Sequence, residues 1–282
     1  MPLDLGRFQL HEINDGTFAL DGGAMFGIVP RPLWEKKHPA DARNRVTLAL
    51  RSLLIVDGNR RVLVDDGIGK KWDEKHQDLY GIDHARVDLD RELARAGVTR
   101  EQITDVILTH LHFDHCGGTT REESGALALS FPNATYHLQR RHWAWAHHPT
   151  EKDTGSFRAE SFALLEESRR LHLLEGQTEL YPGVQILVSE GHTVGMQLVR
   201  VSDAERSLVY CADLVPTAAH LRTSWVMAYD LYPLTTIEEK KMLLAQAVED
   251  HSILFFEHDP HVAACMVKEE RGQVVVDQVV RF

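Results

Sequence analysis

The chain has 282 residues, of which 43% are hydrophobic and 26% charged, a composition typical of a folded globular protein. It carries 42 acidic and 31 basic residues, and the formal net charge of −11 disfavours nucleic acid and membrane surfaces as partners. Three cysteines at irregular spacing argue against a disulfide framework. The first residues show neither a signal peptide nor a membrane span, which favours a cytoplasmic protein.

The first predicted element is a β-hairpin. Two apolar runs, Leu53–Val56 and Arg61–Asp65, flank Asp-Gly-Asn-Arg, in which Asp-Gly and Asn tolerate the positive φ angles of a tight turn. A helix is predicted over 88–98, because its leucines recur at helical spacing and Gly97 provides a C-terminal stop.

The rest of the chain alternates between helices and strands. A short apolar strand is predicted over 105–109, and helices over 139–148 and 155–171. Later strands are predicted over 184–190, 197–202, 207–213, 253–258, 261–268 and 273–282. An amphipathic helix over 236–251 precedes the last three of them. With no repeat or linker, this pattern predicts one α/β domain over 1–282, in which helices cover sheets.

One segment directly after a predicted strand concentrates metal-binding side chains. In THLHFDHCGG, the residues His110, His112, Asp114 and His115 lie within six positions. Because residues two apart in an extended chain point to the same side, His110 and His112 can reach one ion. Asp114 and His115 then face a second position, and the following Gly-Gly pair allows a helix to start there. The cluster therefore predicts two divalent ions, Zn²⁺ first, with Mn²⁺, Co²⁺ or Fe²⁺ as alternatives.

Three further ligand-type residues each follow a predicted apolar strand. They are His192 in VSEGHTVG, Asp213 in LVYCAD and His258 in LFFEH. A lone histidine is more often a core or surface residue than a ligand. The repeated position at a strand end nevertheless predicts that these residues complete the metal site.

These residues resemble the ligand pattern of the metallo-β-lactamase superfamily, H-x-H-x-D-H followed by a separate His, Asp and His. The resemblance implies an αββα sandwich with two metal ions in the cleft between its sheets. It assigns His110, His112 and His192 to the first ion and Asp114, His115 and His258 to the second, with Asp213 bridging both. It also implies that Asp65 and His220 support the ligands from behind. Asp66 is the weaker alternative to Asp65, and His261 is the weaker alternative to His258.

Within this superfamily the chain is similar to quorum-quenching lactonases of the YtnP type. The similarity lies in Asp21–Trp34, in the histidine segment and in Trp225–Thr235. It implies hydrolysis of N-acyl homoserine lactones by attack of a hydroxide held between two metal ions. Asp114, with Asp213 second, would carry the proton to the leaving alkoxide.

Substrate contacts are predicted from the same two segments. Met25, Phe26, Trp225 and Tyr229 would form an apolar wall for an acyl chain, and the phenol of Tyr229 could donate to the developing oxyanion. Each of these residues could equally pack in the core or at the contact of a homodimer. Three histidines outside the ligand pattern are expected on a solvated helix face: His142, His147 and His148.

The residues at two positions distinguish this chain from other branches of the superfamily. Classical zinc β-lactamases have a cysteine at the position of Asp213, and di-iron redox relatives have a glutamate at that of His112. The remaining alternatives are enzymes that have the same metal centre and hydrolyse another small-molecule ester. They are an organophosphate triesterase or aryl esterase like methyl parathion hydrolase, and a thioesterase like glyoxalase II. A metal-stabilised binding protein without turnover is the alternative from a different class.

Overall fold

The computed structural model describes residues 2–282, which contain sixteen strands and eight α-helices. In chain order the strands are β1 (Leu3–Leu5), β2 (Phe8–Asp21), β3 (Arg45–Asp57), β4 (Arg60–Val64), β5 (Asp105–Ile107), β6 (Thr120–Glu123), β7 (Ala126–Leu129), β8 (Thr135–Gln139), β9 (Leu171–Leu174), β10 (Thr178–Tyr181), β11 (Val184–Ser189), β12 (Met196–Ser202), β13 (Ser207–Tyr210), β14 (Ile253–Phe255), β15 (Ala264–Glu270) and β16 (Gln273–Val280). The helices are α1 (Gly22–Phe26), α2 (Arg31–Trp34), α3 (Glu74–Tyr80), α4 (Leu89–Arg95), α5 (Phe113–Cys116), α6 (Arg140–His147), α7 (Ala159–Glu167) and α8 (Pro233–Glu249).

Two seven-stranded sheets form the body of the protein. The first has the order β1-β2-β3-β4-β5-β8-β9, and the second runs β10 to β16 in sequence order. Strands β4, β5, β8 and β9 are mutually parallel, as are β13 and β14, whereas the other neighbours within the two sheets are antiparallel. Because parallel strands finish at the same edge, the loops after β4 and β5 meet there, as do those after β13 and β14.

The main core lies between the two sheets. Alternate residues of β3 show how it forms: Leu53 and Ile55 join a buried cluster that also contains Val199 and Phe255 of the second sheet. Leu54 points the opposite way and packs in a second cluster under α4, α6 and α7. Strand alternation thus gives each sheet two buried faces, which is the helix–sheet–sheet–helix layering predicted for this chain.

Several elements confirm the sequence predictions, and others differ in their bounds. The predicted hairpin is present, with Leu53 paired to Val64 and Asp57 to Arg60 across the turn. Helix α7 is shorter than the predicted 155–171. Helix α8 begins at a proline, a residue favoured in the first turn, three residues before the predicted start. Within the described residues no helix is long and apolar enough to cross a membrane.

The glycines after the histidine segment have a different role from the predicted one. Helix α5 precedes Gly117, so the glycine does not start a helix. It instead lets two backbone segments cross, because a Cβ atom at Gly117 would lie 2.1 Å from the carbonyl oxygen of Ile68. The loop after β4 can therefore contact the segment that carries the histidines.

We expect Gly117→Ala to lower the free energy of unfolding by about 1–3 kcal/mol, because the new methyl group meets backbone that cannot rotate away. Gly155→Ala is the matched control, since a Cβ atom there meets nothing within 4 Å. The measurement is urea unfolding of both variants and the parent. Equal midpoints for Gly117→Ala and the parent would show that the crossing is not tight.

Candidate metal centre

The first sheet contributes four ligand-type side chains from one continuous segment. The segment that follows β5 carries His110 and His112, and α5 then presents Asp114 and His115. All four side chains are buried, with at most 7% of their surface exposed.

The second sheet contributes three more. His192 lies beyond the end of β11, Asp213 lies in a short 3₁₀ turn after β13, and His258 follows β14. Since β13 and β14 are parallel neighbours, the last two residues emerge at the same edge. Their positions at three strand ends agree with the sequence interpretation.

The side chains converge in two groups. His110, His112 and His192 form the first group, in which Nδ1 of His112 lies 3.0 Å from Nε2 of His110 and 3.1 Å from Nε2 of His192. Asp114, His115 and His258 form the second. Its histidines place their Nε2 atoms 3.2 Å apart, and Oδ2 of Asp114 lies 3.5 Å from Nε2 of His258.

Asp213 faces both groups. Its Oδ2 atom lies 3.2 Å from Nε2 of His192, and its Oδ1 atom lies 3.2 Å from Nε2 of His258. Oδ1 is buried and has no hydrogen-bond partner. A buried carboxylate oxygen that lacks a donor is costly unless a cation offsets its charge. The position of Asp213 therefore fits a carboxylate that would bind a cation held by either group.

The pKa values of the histidines show where the centre favours positive charge. Burial and the surrounding imidazoles hold the pKa values of His110 and His112 well below the usual range, so both rings are neutral and offer lone pairs. Burial alone would lower the pKa of His258, but Asp213 raises it to about 9. The carboxylates of the centre thus attract positive charge. Neutral imidazole beside carboxylate is the donor set of Zn²⁺ and its first-row neighbours, so each group could hold one metal ion.

Hydrogen bonds from behind orient the rings. In three histidines Nδ1 contacts an outer acceptor while Nε2 points into the centre. The pairs are His115 with Asp65 at 3.1 Å, His192 with Asp230 at 2.9 Å and His258 with the carbonyl of Ala49 at 2.9 Å. A donated Nδ1 proton fixes the tautomer and leaves the lone pair of Nε2 free for a metal.

Two carboxylates lie behind His115. Asp65 accepts hydrogen bonds from the backbone and the hydroxyl of Thr109 at 2.6 and 2.7 Å, so it also holds the start of the ligand segment. Glu257, fully buried, places an oxygen 3.0 Å from Nδ1 of His115. Burial raises the pKa of Glu257 to about 8, and His115 partly offsets this rise. Asp66, the alternative to Asp65, instead accepts from the hydroxyl of Thr119.

His142 lies in a different place from the predicted one. His142 is fully buried, so its predicted place on a solvated face is wrong, whereas His147 and His148 are exposed. The Nε2 atom of His142 accepts a hydrogen bond from the backbone N–H of Leu111 at 2.8 Å, and its Nδ1 atom donates one to the carbonyl of Val194. Burial lowers the pKa of His142 to about 4, which agrees with a neutral ring that links two ligand loops.

The expected contact between His220 and a ligand is not made. Both of its nitrogens are used elsewhere, by the hydroxyl of Thr217 and the carbonyl of Met25. His220 therefore supports the neighbouring aromatic cluster and not the metal ligands. His261 is absent from both ligand groups, which contain His258 instead.

The four wall residues lie together in one buried cluster. Phe26 is fully buried, and its ring stacks on those of Trp34 and His220 with centroids 5.4 and 4.9 Å away. Trp225 meets Phe26 edge to face at 5.8 Å. Met25 is also buried, so an acyl-binding role for these three residues remains a prediction.

Tyr229 is the partly buried member of this cluster. Burial raises the pKa of Tyr229, and the nearby carboxylates of Asp21, Asp114 and Asp213 raise it further. The phenol is therefore protonated and is a hydrogen-bond donor throughout the neutral range. Burial also raises the pKa of Tyr80, and the charge of Asp114 raises it further.

Asp230 and Glu257 were not predicted from the sequence. Asp230 interrupts the aromatic segment Trp225–Thr235, and Glu257 ends the apolar run before His258. A lone acid in an apolar context was the available signal in both cases. It did not indicate which ligand each acid would contact.

Comparisons with known proteins identify the family of the chain. A family model described as the metallo-β-lactamase superfamily matches residues 50–258, well over half of the chain. A probable metal-dependent hydrolase from Staphylococcus aureus has 30% sequence identity and a TM-score of 0.88, with 99% of this chain and 100% of that chain covered. AidC, a dizinc quorum-quenching lactonase solved with a product, has a TM-score of 0.82 over 100% of this chain and 98% of its own, at 20% identity.

A curated relative also aligns over part of the chain. An N-acyl homoserine lactonase from Bacillus cereus is 26% identical over 187 residues, which is 64% of this chain. The chain spans 62% of the length of that relative. Together with the matching fold and the ligand geometry, the family match shows that the chain belongs to the metallo-β-lactamase superfamily.

Proposed function

We propose that the protein is a dinuclear metal-dependent hydrolase that opens N-acyl homoserine lactones. The observation that carries the proposal is the position of Asp213, whose two oxygens face two separate groups of buried histidines. A single metal site would not need a carboxylate placed between two groups. The lactonase names among the relatives and structural neighbours support the choice of substrate.

The residues divide between two ions. The first histidine group would hold one ion, Asp114 with His115 and His258 would hold the other, and Asp213 would bind both. Two such ions polarise a substrate carbonyl and lower the pKa of a water molecule to near neutrality. Zn²⁺ is the first candidate, with Mn²⁺, Co²⁺ or Fe²⁺ as alternatives.

Side chains at the edge of the metal centre would stabilise the developing charge and protonate the leaving group. The protonated phenol of Tyr229 would donate to the carbonyl oxygen as negative charge develops there. When the ester bond breaks, the ring oxygen leaves as an alkoxide and needs a proton. Asp114, a member of the second group, would take a proton from the attacking water molecule and pass it to that alkoxide. The products are an alcohol and a carboxylate, and one proton is released to solvent near pH 7.

We expect close to two first-row metal ions per chain, measured by elemental analysis of protein purified without chelator. Asp213→Ala should lose both ions and turnover, because its side chain faces both groups. Asp277→Ala is the control, since Asp277 pairs with Lys268 on the surface. A parent protein that binds one ion or none, even after metal is added, would contradict the dinuclear centre.

Ring opening of N-acyl homoserine lactones should release protons that a pH indicator can follow. Chelation should stop the release, and added Zn²⁺, Mn²⁺ or Co²⁺ should restore it. Aryl esters, thioesters and phosphotriesters form the comparison panel. If lactones are untouched and one of these classes turns over rapidly, the lactonase assignment is wrong and the hydrolase assignment stands.

We expect Tyr229→Phe to lower kcat by about 10²–10³-fold if the phenol donates to the oxyanion. Metal content should not change, because the phenol lies outside both ligand groups. Tyr232→Phe removes a phenol three residues away that is 47% exposed, and it should leave kcat unchanged. Equal kcat values for Tyr229→Phe and the parent would remove this residue from the mechanism.

A further inference from the structure

Four consecutive charged residues near the start of α8, Glu238, Glu239, Lys240 and Lys241, divide into two pairs. Glu238 and Lys241 form an ion pair at 2.7 Å with 67% and 54% of their side chains exposed. Lys240 is only 1% exposed, and Glu239 is partly buried. The outer pair is thus solvated, whereas the inner pair faces the loops around the metal centre.

Glu239 holds the segment that leads into His192. Its carboxylate accepts three hydrogen bonds, from the hydroxyl of Ser189 at 2.6 Å and from the backbone N–H groups of Glu190 and Gly191 at 2.8 and 3.2 Å. These donors belong to the three residues directly before His192. Hydrogen bonds to a charged carboxylate are roughly twice as strong as neutral ones. Glu239 therefore anchors the backbone that delivers a ligand.

Lys240 holds the loop that supports the same ligand from the other side. Its ammonium group donates to the carbonyl oxygens of Trp225 and Arg222 at 2.6 and 3.0 Å. A buried ammonium is unfavourable unless such acceptors replace water. The loop continues to Asp230, whose carboxylate contacts Nδ1 of His192 at 2.9 Å.

Backbone contacts join the two loops to the helix. The N–H groups of Leu231 and Tyr232 donate to the carbonyls of His192 and Gly191 at 3.0 and 2.8 Å. A Cβ atom at Gly191 would lie 2.4 Å from the hydroxyl oxygen of Thr236 in α8, so the helix and this loop are in direct contact. A displacement of either loop would therefore move His192.

We propose that Glu239 and Lys240 are positioning residues for His192 and that they set the affinity of the first histidine group for its metal ion. The proposal rests on the metal centre of the proposed function and does not depend on the identity of the substrate. Partners that orient a metal ligand from behind typically contribute 10–100-fold to metal affinity. The second group has its own supports in Asp65 and Ala49, so its affinity should not depend on Glu239 or Lys240.

The test compares Glu239→Gln with Glu238→Gln in the full-length, metal-loaded protein. Glutamine at position 239 has the shape of glutamate but no charge. Its amide N–H₂ group would face the hydrogen-bond donors from which the carboxylate accepts. Competition with a chelator gives the two Zn²⁺ dissociation constants. We expect one constant to rise about 10–100-fold in Glu239→Gln and the other to stay within about threefold. Both constants should match the parent in Glu238→Gln.

The visible absorption of the Co²⁺-substituted protein provides a readout of ligand geometry. Glu239→Gln should change the bands of one ion, and amide hydrogen exchange should become faster over 190–195. Lys240→Met should give the same pattern as Glu239→Gln. Lys241→Met is its control and should match the parent. If Lys240→Met fails to fold, Ser189→Ala replaces it and should show a smaller change in the same dissociation constant.

Three outcomes would overturn the proposal. The first is equal metal affinity in the Glu239→Gln and Glu238→Gln proteins. The second is equal weakening of both ions together with a lower urea midpoint, which would mean that Glu239 supports the fold and not His192. The third is the parent Co²⁺ spectrum in Glu239→Gln. A parent protein that binds fewer than two ions would instead contradict the proposed function itself.

Discussion

The site depends on a buried cluster of side chains in which two carboxylates, Asp114 and Asp213, face five imidazoles. Desolvation of an uncompensated carboxylate costs several kcal/mol, so this arrangement requires positive charge beside it. The low pKa values of His110 and His112 keep those rings neutral, so they cannot supply that charge. Burial lowers the pKa of His258, but Asp213 raises it to about 9, so a proton on this ring or a divalent cation in its place can supply the charge. The interior therefore favours positive charge at this point, and divalent cations would use the same lone pairs.

Both sheets are needed to build this point. The first supplies the segment from His110 to His115, and the second supplies His192, Asp213 and His258 from three separate strand ends. The main core packs the two sheets together, and Asp213 contacts ligands from both. Each group also has supports that belong to other parts of the chain. Small changes in loop position thus alter ligand geometry without touching a ligand.

Much of this arrangement could be predicted from the sequence, because metal ligands are of a few residue types and in this chain they follow predicted strands. The segment with His110, His112, Asp114 and His115 and the three later residues satisfy both conditions. The supporting contacts could not be predicted in the same way. Asp230, Glu239 and Lys240 are ordinary charged residues in the sequence, and their role depends on loops that lie far apart along the chain. His142 reads as a surface residue, but tertiary packing places it between two ligand loops.

A dinuclear centre requires that Asp213 lies between two metal ions. The most direct measurement is an anomalous difference map from crystals of the metal-loaded protein, recorded at the absorption edge of the bound metal. We expect two peaks about 3.5–4 Å apart, one beside the first histidine group and one beside the second, with an oxygen of Asp213 bound to each. A single peak, or two peaks of which only one contacts Asp213, would contradict it.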